Sequence, residues 1–544
     1  MLLDPDNSSI LPIWHAALVL GPALAASAAA LVAGRRAGAA ADWRTARWAS
    51  SAATTFAGLS LVAVLFGSQG TGFGLRADAV GALVMLLVAF VGWVIVRYSQ
   101  PYLNGEREER RYVRWLMVTL ATVGMVVATN HVLVLALAWT ASSLALHRLL
   151  TFFRDRPQAV VAAHKKFIVA RAADLCMLAA TALLFQAFDT LHIDEIALRA
   201  AAAPQLSWPA QAAVLLIACA ALLKCAQLPF HGWLIQVMEA PTPVSALLHA
   251  GVVNLGGFVL IRFAPLLSEV PAAQVLLVVA GTATAVLAAL VMTTRISIKV
   301  MLAWSTCAQM GFMLMQCGLG AWEMALLHLV AHSLYKAHAF LAAGGAVRRA
   351  LLVTLTPRVE PPGLMELALG AFIGAGMTVA AGAAWTILVP AQPASPTIWV
   401  LAGIVSLALA PLVHARSLRL GGWWPIALAG GAFGVAFAYF GLHVLLVTWL
   451  HPNPATPPAA LLVFVALSFA GLFLMQCAIT ASACGAFARR MYPWFYGGLF
   501  LDEKFNRIVL GLWRPPAPAA TAASWPAADA TTATVPAATI GANS

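Results

Sequence analysis

Residues Leu215–Ala250 read LLIACAALLKCAQLPFHGWLIQVMEAPTPVSALLHA. A long apolar approach ends at Lys224, and five residues later Pro229 withdraws a backbone donor. In lipid every backbone polar group must find its partner inside the protein, so the stretch predicts a broken transmembrane helix with a lysine near mid-membrane. A charge at that depth is costly enough that a functional role is the default expectation. The alternative is a lysine that caps the carbonyls freed at the break.

Working outward, the composition agrees with a membrane setting. Of 544 residues, 62% are hydrophobic and 10% charged, and the mean hydropathy is +0.87. A water-soluble enzyme of this length would not carry so much apolar surface, and long alternating polar and apolar segments of an outer-membrane β-barrel are absent from the sequence. Apolar segments fall at 12–34, 49–67, 77–98, 113–129, 131–150, 160–188, 209–227, 242–266, 271–293, 299–319, 322–346, 363–390, 397–414, 423–449 and 459–487. They predict an all-α polytopic membrane protein of about 15 transmembrane helices.

Arginine and lysine fall in alternate loops: Arg35, Arg36, Arg44 and Arg47; Arg107, Arg110, Arg111 and Arg114; Arg154, Arg156, Lys165 and Lys166; Arg295; Arg348, Arg349 and Arg358; Arg416 and Arg419; Arg489 and Arg490. The positive-inside rule then places the N-terminus outside and the C-terminus in the cytoplasm of a bacterial inner-membrane protein. The same alternation explains the net charge of +12 without nucleic acid, because the basic residues form no patch with interleaved aromatics. The seven cysteines lie in apolar runs with no CxxC pair, which indicates neither a disulfide framework nor a metal knuckle. Asp4 and Asp6 precede the first apolar run, so no cleavable signal peptide is expected. After the last span, MYPWFYGGLFLDEKFNRIVLGLW (Met491–Trp513) reads as an interfacial helix or re-entrant cap, and 515–544, rich in Ala, Pro and Thr, reads as disordered. No loop is long enough for a soluble domain or a bound nucleotide.

Only six lysines occur: Lys165, Lys166, Lys224, Lys299, Lys336 and Lys504. Arginine holds its proton, whereas a desolvated lysine can release one, so lysines within spans suit proton handling. In HLVAHSLYKAHAF, His328, His332 and Lys336 recur at i, i+4 and i+8, a stripe covering about 12 Å of helix rise. Such a stripe can pass protons through intervening water. Core histidines with no transfer role are the plainer reading; a zinc site would need a third ligand beside the two histidines, and Leu329 stands where HExxH has its glutamate. His249 and His338 are weaker candidates that could simply hydrogen-bond a neighbouring helix. Arg171 and Asp174, three residues apart, form either a neutralised structural pair or an acid that modulates Lys224. Glu239 could hold the start of the eighth span through its dipole, and Lys299 sits at a span edge.

The segments KKFIVARAAD, Leu222–Ala250, KVMLAWSTCAQMGFM and HLVAHSLYKAHAFL resemble the antiporter-like subunits of respiratory complex I and of multisubunit sodium/proton antiporters, from about Asp78 and the Tyr98–Tyr102 stretch to Ala346. The resemblance implies two inverted five-helix repeats, each with a broken helix, at 113–266 and 271–414. They would be flanked by N-terminal helices in 1–112, C-terminal helices in 423–487 and an interfacial cytoplasmic segment at 488–514. Carried over residue by residue, Lys224 matches the family's central lysine, His249 the histidine on the next helix, and His328, His332 and Lys336 the lateral proton relay. Arg171 and Asp174 match the sixth-helix pair. Two positions depart: Trp139 is followed by Thr140 where the family has glutamate, and Gly370–Leu388, the second broken helix of the family, carries no ionisable residue.

Within that family, MEAPTPVSALLHAGVVNLGGFVLIRFAPLL, ALHRLL and GLFLDEKFNRIVLGLW are most similar to the DabB family, membrane subunits of two-component inorganic-carbon accumulation complexes. This implies a cation, H⁺ or Na⁺, whose gradient drives a DabA-like peripheral cytoplasmic partner related to zinc β-carbonic anhydrases. Zinc would belong to that partner, with no cofactor in this chain. Two other readings stand beside it: a subunit of a sodium/proton antiporter or complex I-like quinone oxidoreductase, and a non-conducting membrane anchor.

Overall fold

Each apolar run becomes helix, because backbone N–H and C=O groups in lipid have no partners but one another. The computed structural model describes residues 10–35, 38–153, 157–345, 363–390, 394–410, 423–450, 457–481 and 485–513. The helices are α1 (Ile13–Val32), α2 (Ala39–Leu65), α3 (Ala79–Tyr102), α4 (Glu109–Ala128), α5 (Val132–Leu150), α6 (Pro157–Phe188), α7 (Ile193–Ala202), α8 (Trp208–Lys224), α9 (Gly232–Gln236), α10 (Thr242–Ala250), α11 (Leu255–Arg262) and α12 (Ala264–Ser268). They continue as α13 (Pro271–Met292), α14 (Ile298–Gly318), α15 (Trp322–Leu341), α16 (Leu364–Leu388), α17 (Pro396–Leu409), α18 (Trp424–Leu450), α19 (Ala459–Ala481), α20 (Ala486–Tyr496) and α21 (Leu501–Leu512). Arg36, Arg154, Arg156, Arg348, Arg349, Arg358, Arg416, Arg419, Cys484 and the tail at 515–544 lie outside the described residues.

The chain is a multi-pass, all-α membrane protein. Among the described residues, 12 helices are long and apolar enough to cross a bilayer. The spans expected at 209–227 and 397–414 are the shorter helices α8 and α17, and 322–346 is α15, whose Glu323, His328, His332 and Lys336 lower its apolarity. Length and apolarity alone therefore do not reach the expected count of about 15.

The two ends of the bundle differ in charge, as the loop alternation requires. At one end an antiparallel hairpin, β1 (Gly70–Gly72) and β2 (Leu75–Ala77), joins neighbouring loops. There the Leu11 amide donates to Thr71 O (3.1 Å), that of Asn130 to Gly74 O (2.8 Å) and that of Ile193 to Asn130 O (2.7 Å). At the other end the basic loops tie helices together: Arg110 Nε meets Asp42 (3.0 Å), Arg114 Nη2 donates to Ala33 O (2.7 Å), and Arg295 Nη2 donates to Phe495 O (3.1 Å). Between the ends, glycine allows close approach where α13 crosses α14. A methyl on Gly281 would sit 2.6 Å from Gly311 O, the small-residue packing that lets membrane helices touch backbone to backbone.

The break after Lys224 is present. The chain leaves α8 at Cys225, turns through Ala226 (φ 53°) and a cis Leu228–Pro229 bond, and resumes at α9. Side chains satisfy the freed backbone, as lipid demands: Thr284 Oγ1 accepts from the Leu228 amide (3.2 Å), Gln227 Nε2 donates to Cys225 O (2.8 Å) and Cys307 Sγ to Ala226 O (3.0 Å). The second break is not seen. Helix α16 runs from Leu364 to Leu388 without interruption, because its glycines keep their N–H groups and no proline falls inside it.

At the hairpin end, Asp78 caps α3 by accepting from the Gly81 amide (2.7 Å), and its Oδ2 meets Arg76 (2.8 Å) and Arg262. Burial alone would push this carboxyl up. The Arg262 and Arg76 charges, the Arg262 hydrogen bond and the Gly81 amide outweigh burial and hold its pKa at about 2. The folded value lies below the unfolded one, so the stabilisation is complete above the usual carboxylate range and is lost as pH falls from about 4 towards 2. Asp78→Asn is expected to lower stability at pH 7 by about 3–5 kcal/mol, the effect of leaving buried charges without their partner. It should also flatten the acid loss, which thermal unfolding of detergent-solubilised protein at stepped pH measures.

Candidate functional site

Lys224 ends α8 where the backbone turns away, so its side chain enters the space between α5, α6 and α8. Its Nζ lies 2.6 Å from Asp174 Oδ1, 4.2 Å from the centre of the Trp139 ring and 3.4 Å from Trp139 O. Asp174 also meets Arg171 (2.5 Å), one helical turn away on α6. Arg171 and Asp174 are therefore paired, and the same carboxylate also lies against the Lys224 ammonium. Trp139, whose family successor would be glutamate, supplies only its ring and carbonyl. The carboxylate beside the lysine comes from Asp174 on α6.

A cavity opens on Lys224, lined by Trp139, Ser142, Ser143, Lys166 and, on its far wall, Leu248 and Val252 beside His249. Lys166 is 5% exposed, donates to Ser143 O (2.5 Å) and Oγ (2.8 Å), and lies within electrostatic reach of Lys224, Arg171 and Asp174. Reading it as a basic loop residue missed this. The available signal was the unbroken register from Pro157: Lys165 and Lys166 fall more than two turns inside a 32-residue helix, and both are buried.

The stripe on α15 forms the second group. His328 Nδ1 pairs with Gln316 Oε1 (3.1 Å), the His328 and His332 rings are 6.0 Å apart, and Lys336 is held by Ser305 Oγ. His332 lies within electrostatic reach of His328, Lys336 and His249. His249, fully buried on α10, stacks on Phe340 of α15 at 4.4 Å. Neither ring nitrogen of His249 or of His332 has a hydrogen-bond partner among the described residues. The three side chains of the stripe and His249 are thus brought together.

Of the remaining candidates, Lys299 donates to Thr242 Oγ1 (2.9 Å) at the start of α10. Glu239 lies in the short 3-10 turn before that helix, whose first turn has no side-chain cap. Lys299 thus braces the helix start, and Glu239 stands three residues before Thr242. At the opposite end of α15, Glu323 Oε1 meets His443 Nδ1 of α18 at 3.2 Å, a contact between distant segments that no local pattern announced.

Residues 128–355 match the family described as "NADH:quinone oxidoreductase/Mrp antiporter, TM", and residues 65–113 match "NADH-Ubiquinone oxidoreductase (complex I), chain 5 N-terminus". The "Probable inorganic carbon transporter subunit DabB" of Hydrogenovibrio crunogenus is 42% identical over 494 residues, which cover 86% of this chain and 91% of that one. DabB2 of Halothiobacillus neapolitanus is 37% identical over 86% of this chain and 88% of its own. Among solved structures, the Mrp complex from Dietzia sp. contains a similar fold (TM-score 0.59, 24% identity) over 92% of this chain and 59% of that chain. The chain belongs to the DabB family of inorganic carbon transporter subunits, whose membrane fold is that of the complex I and Mrp antiporter-like subunits.

Proposed function

We propose that this chain conducts protons across the bacterial inner membrane and thereby energises CO2/bicarbonate accumulation by a DabA-like, carbonic-anhydrase-like zinc partner on the cytoplasmic side. The observations that carry the reading are two groups of titratable side chains inside the bundle: Lys166 and Lys224 with Asp174 around one cavity, and Lys336, His332 and His328 along α15 with His249 in electrostatic reach. Lys224 acts as the central acceptor, Asp174 with Arg171 tunes it, His249 links the halves, and the α15 stripe is the lateral relay. Glu239 and Lys299 brace the start of α10. In this reading the repeats at 113–266 and 271–414 each carry one half of the path, with the basic loops and the C-terminus in the cytoplasm.

Coupling by desolvated lysines follows from their chemistry. A buried ammonium with one mobile counter-ion exchanges its proton readily, whereas arginine does not. The unbroken α16, whose one charge is Glu366 in its first turn, favours one rival reading, a non-conducting anchor, since Gly370–Leu388 offers no charge for a second half-channel. Uptake of labelled bicarbonate by cells making this chain with its partner separates the two. His332→Ala, which interrupts the relay, is expected to cut uptake by roughly tenfold or more without changing the amount of chain in the membrane. Wild-type uptake would favour the anchor. Sodium/proton antiport would instead show as Na⁺-dependent uptake in the same assay.

A further inference from the structure

The carboxy-terminal helix α21 does not simply lie along the interface. Its Asp502 reaches into the bundle and forms a 2.7 Å ion pair with Lys165, whose side chain is fully buried. The same oxygen, Oδ2, accepts from Gln236 Nε2 of α9 (3.0 Å) and from Asn506 (3.1 Å). Oδ1 is buried against Gly232, the first residue after the break in the Lys224 helix, and has no hydrogen-bond partner among the described residues. His231 lies within electrostatic reach of both Asp502 and Lys165. Aromatic contacts close the rim: Trp513 stacks on His164 at 3.7 Å and Phe505 meets Phe230 at 5.7 Å.

Along α6 these groups form a ladder. Lys165 with Asp502 stands at the basic end of the bundle, Lys166 is the next residue, and Asp174 with Lys224 lies about 12–14 Å further in by helix rise. We propose that Asp502, supplied by the carboxy-terminal helix, is the proton-loading residue at the cytoplasmic mouth of the Lys224 path. A proton from cytoplasmic water binds Oδ1 and the ion pair with Lys165 loosens. The Lys165 ammonium then gives a proton inward to the neutral amine of Lys166, on the way to Lys224, and takes the Asp502 proton in its place, which restores the ion pair. This rests on the proton-path reading above and gives it the entrance that it otherwise lacks.

The test is labelled bicarbonate uptake by cells making the full chain with its partner, alongside the amount of chain in the membrane. Asp502→Asn keeps the shape and an acceptor for Lys165 and Gln236 but cannot load a proton at neutral pH. It is expected to lower uptake by roughly tenfold at unchanged membrane level, with Asp502→Glu restoring much of it. Glu503→Gln, on the exposed side of the same helix, should behave as wild type. If Asp502→Asn depletes the chain, Gly232→Ala decides, because a methyl there collides with the Asp502 carboxylate while every titratable group remains. Its loss of uptake supports the proposal. Wild-type uptake in these variants, or raised uptake as for a removed plug, overturns it. Failure of the proton path itself is distinguishable, since Lys224→Ala would then also be as active as wild type.

Discussion

Lys224→Ala is expected to reduce bicarbonate uptake to near background, roughly tenfold or more, while the chain still reaches the membrane. The argument is geometric. Lys224 is the one lysine that meets a buried carboxylate (2.6 Å), a tryptophan face (4.2 Å) and a cavity that leads on to the α10 helix bearing His249. Removing the amine leaves Asp174 still paired with Arg171, so the fold keeps a neutral pair at that depth and the loss falls on function. Lys224→Arg sharpens the test. It keeps the charge and the cation–π contact but cannot release a proton, so it should fail as alanine does. Arginine at wild-type activity would show that only the charge is needed.

Asp174→Ala is expected to lower stability by about 3–5 kcal/mol, because Lys224 and the partly buried Arg171 lose their shared counter-ion. Lys224 and Arg171 would then face one another without compensation in a site from which water is largely excluded. Thermal unfolding of the solubilised protein measures this. A double-mutant cycle with Lys224→Ala isolates the pair: the double variant should be less destabilised than the two single effects summed, since the second substitution removes one of the stranded charges. Additive effects would mean that the 2.6 Å contact contributes nothing to the folded state.

Much of this was legible in the chain itself. The helix break at Lys224 is visible because an apolar run, a lysine and a proline within five residues have few other readings in lipid, and the α15 stripe is visible because i, i+4 and i+8 are neighbours on any helix. What escaped were contacts between segments far apart in sequence. The sequence offers Asp174 beside Lys224 only as one of two alternatives, because the contact needs α6 to lie against α8, and Asp502 meets Lys165 across 337 residues. Lys166 was hidden for a different reason. It falls within the apolar segment 160–188, yet next to Lys165 and shortly after Arg154 and Arg156 it reads as part of the basic loop. The second break was expected from family likeness, but the backbone follows its own residues: glycines without proline give no reason to open hydrogen bonds in a membrane.

The same logic explains why α15 is poor in apolar character although it belongs to the bundle. A helix that carries Glu323, His328, His332 and Lys336 faces protein rather than lipid on those sides, and Glu323, His332 and Lys336 are all buried. Polar residues at that depth point to work done inside the bundle.

The most direct test is bicarbonate uptake by the intact pair of subunits before and after a protonophore collapses the proton gradient, at fixed external carbon and sodium. Uptake should fall to the level of cells lacking this chain. Uptake that continues unchanged after collapse would contradict a proton-conducting role for the chain.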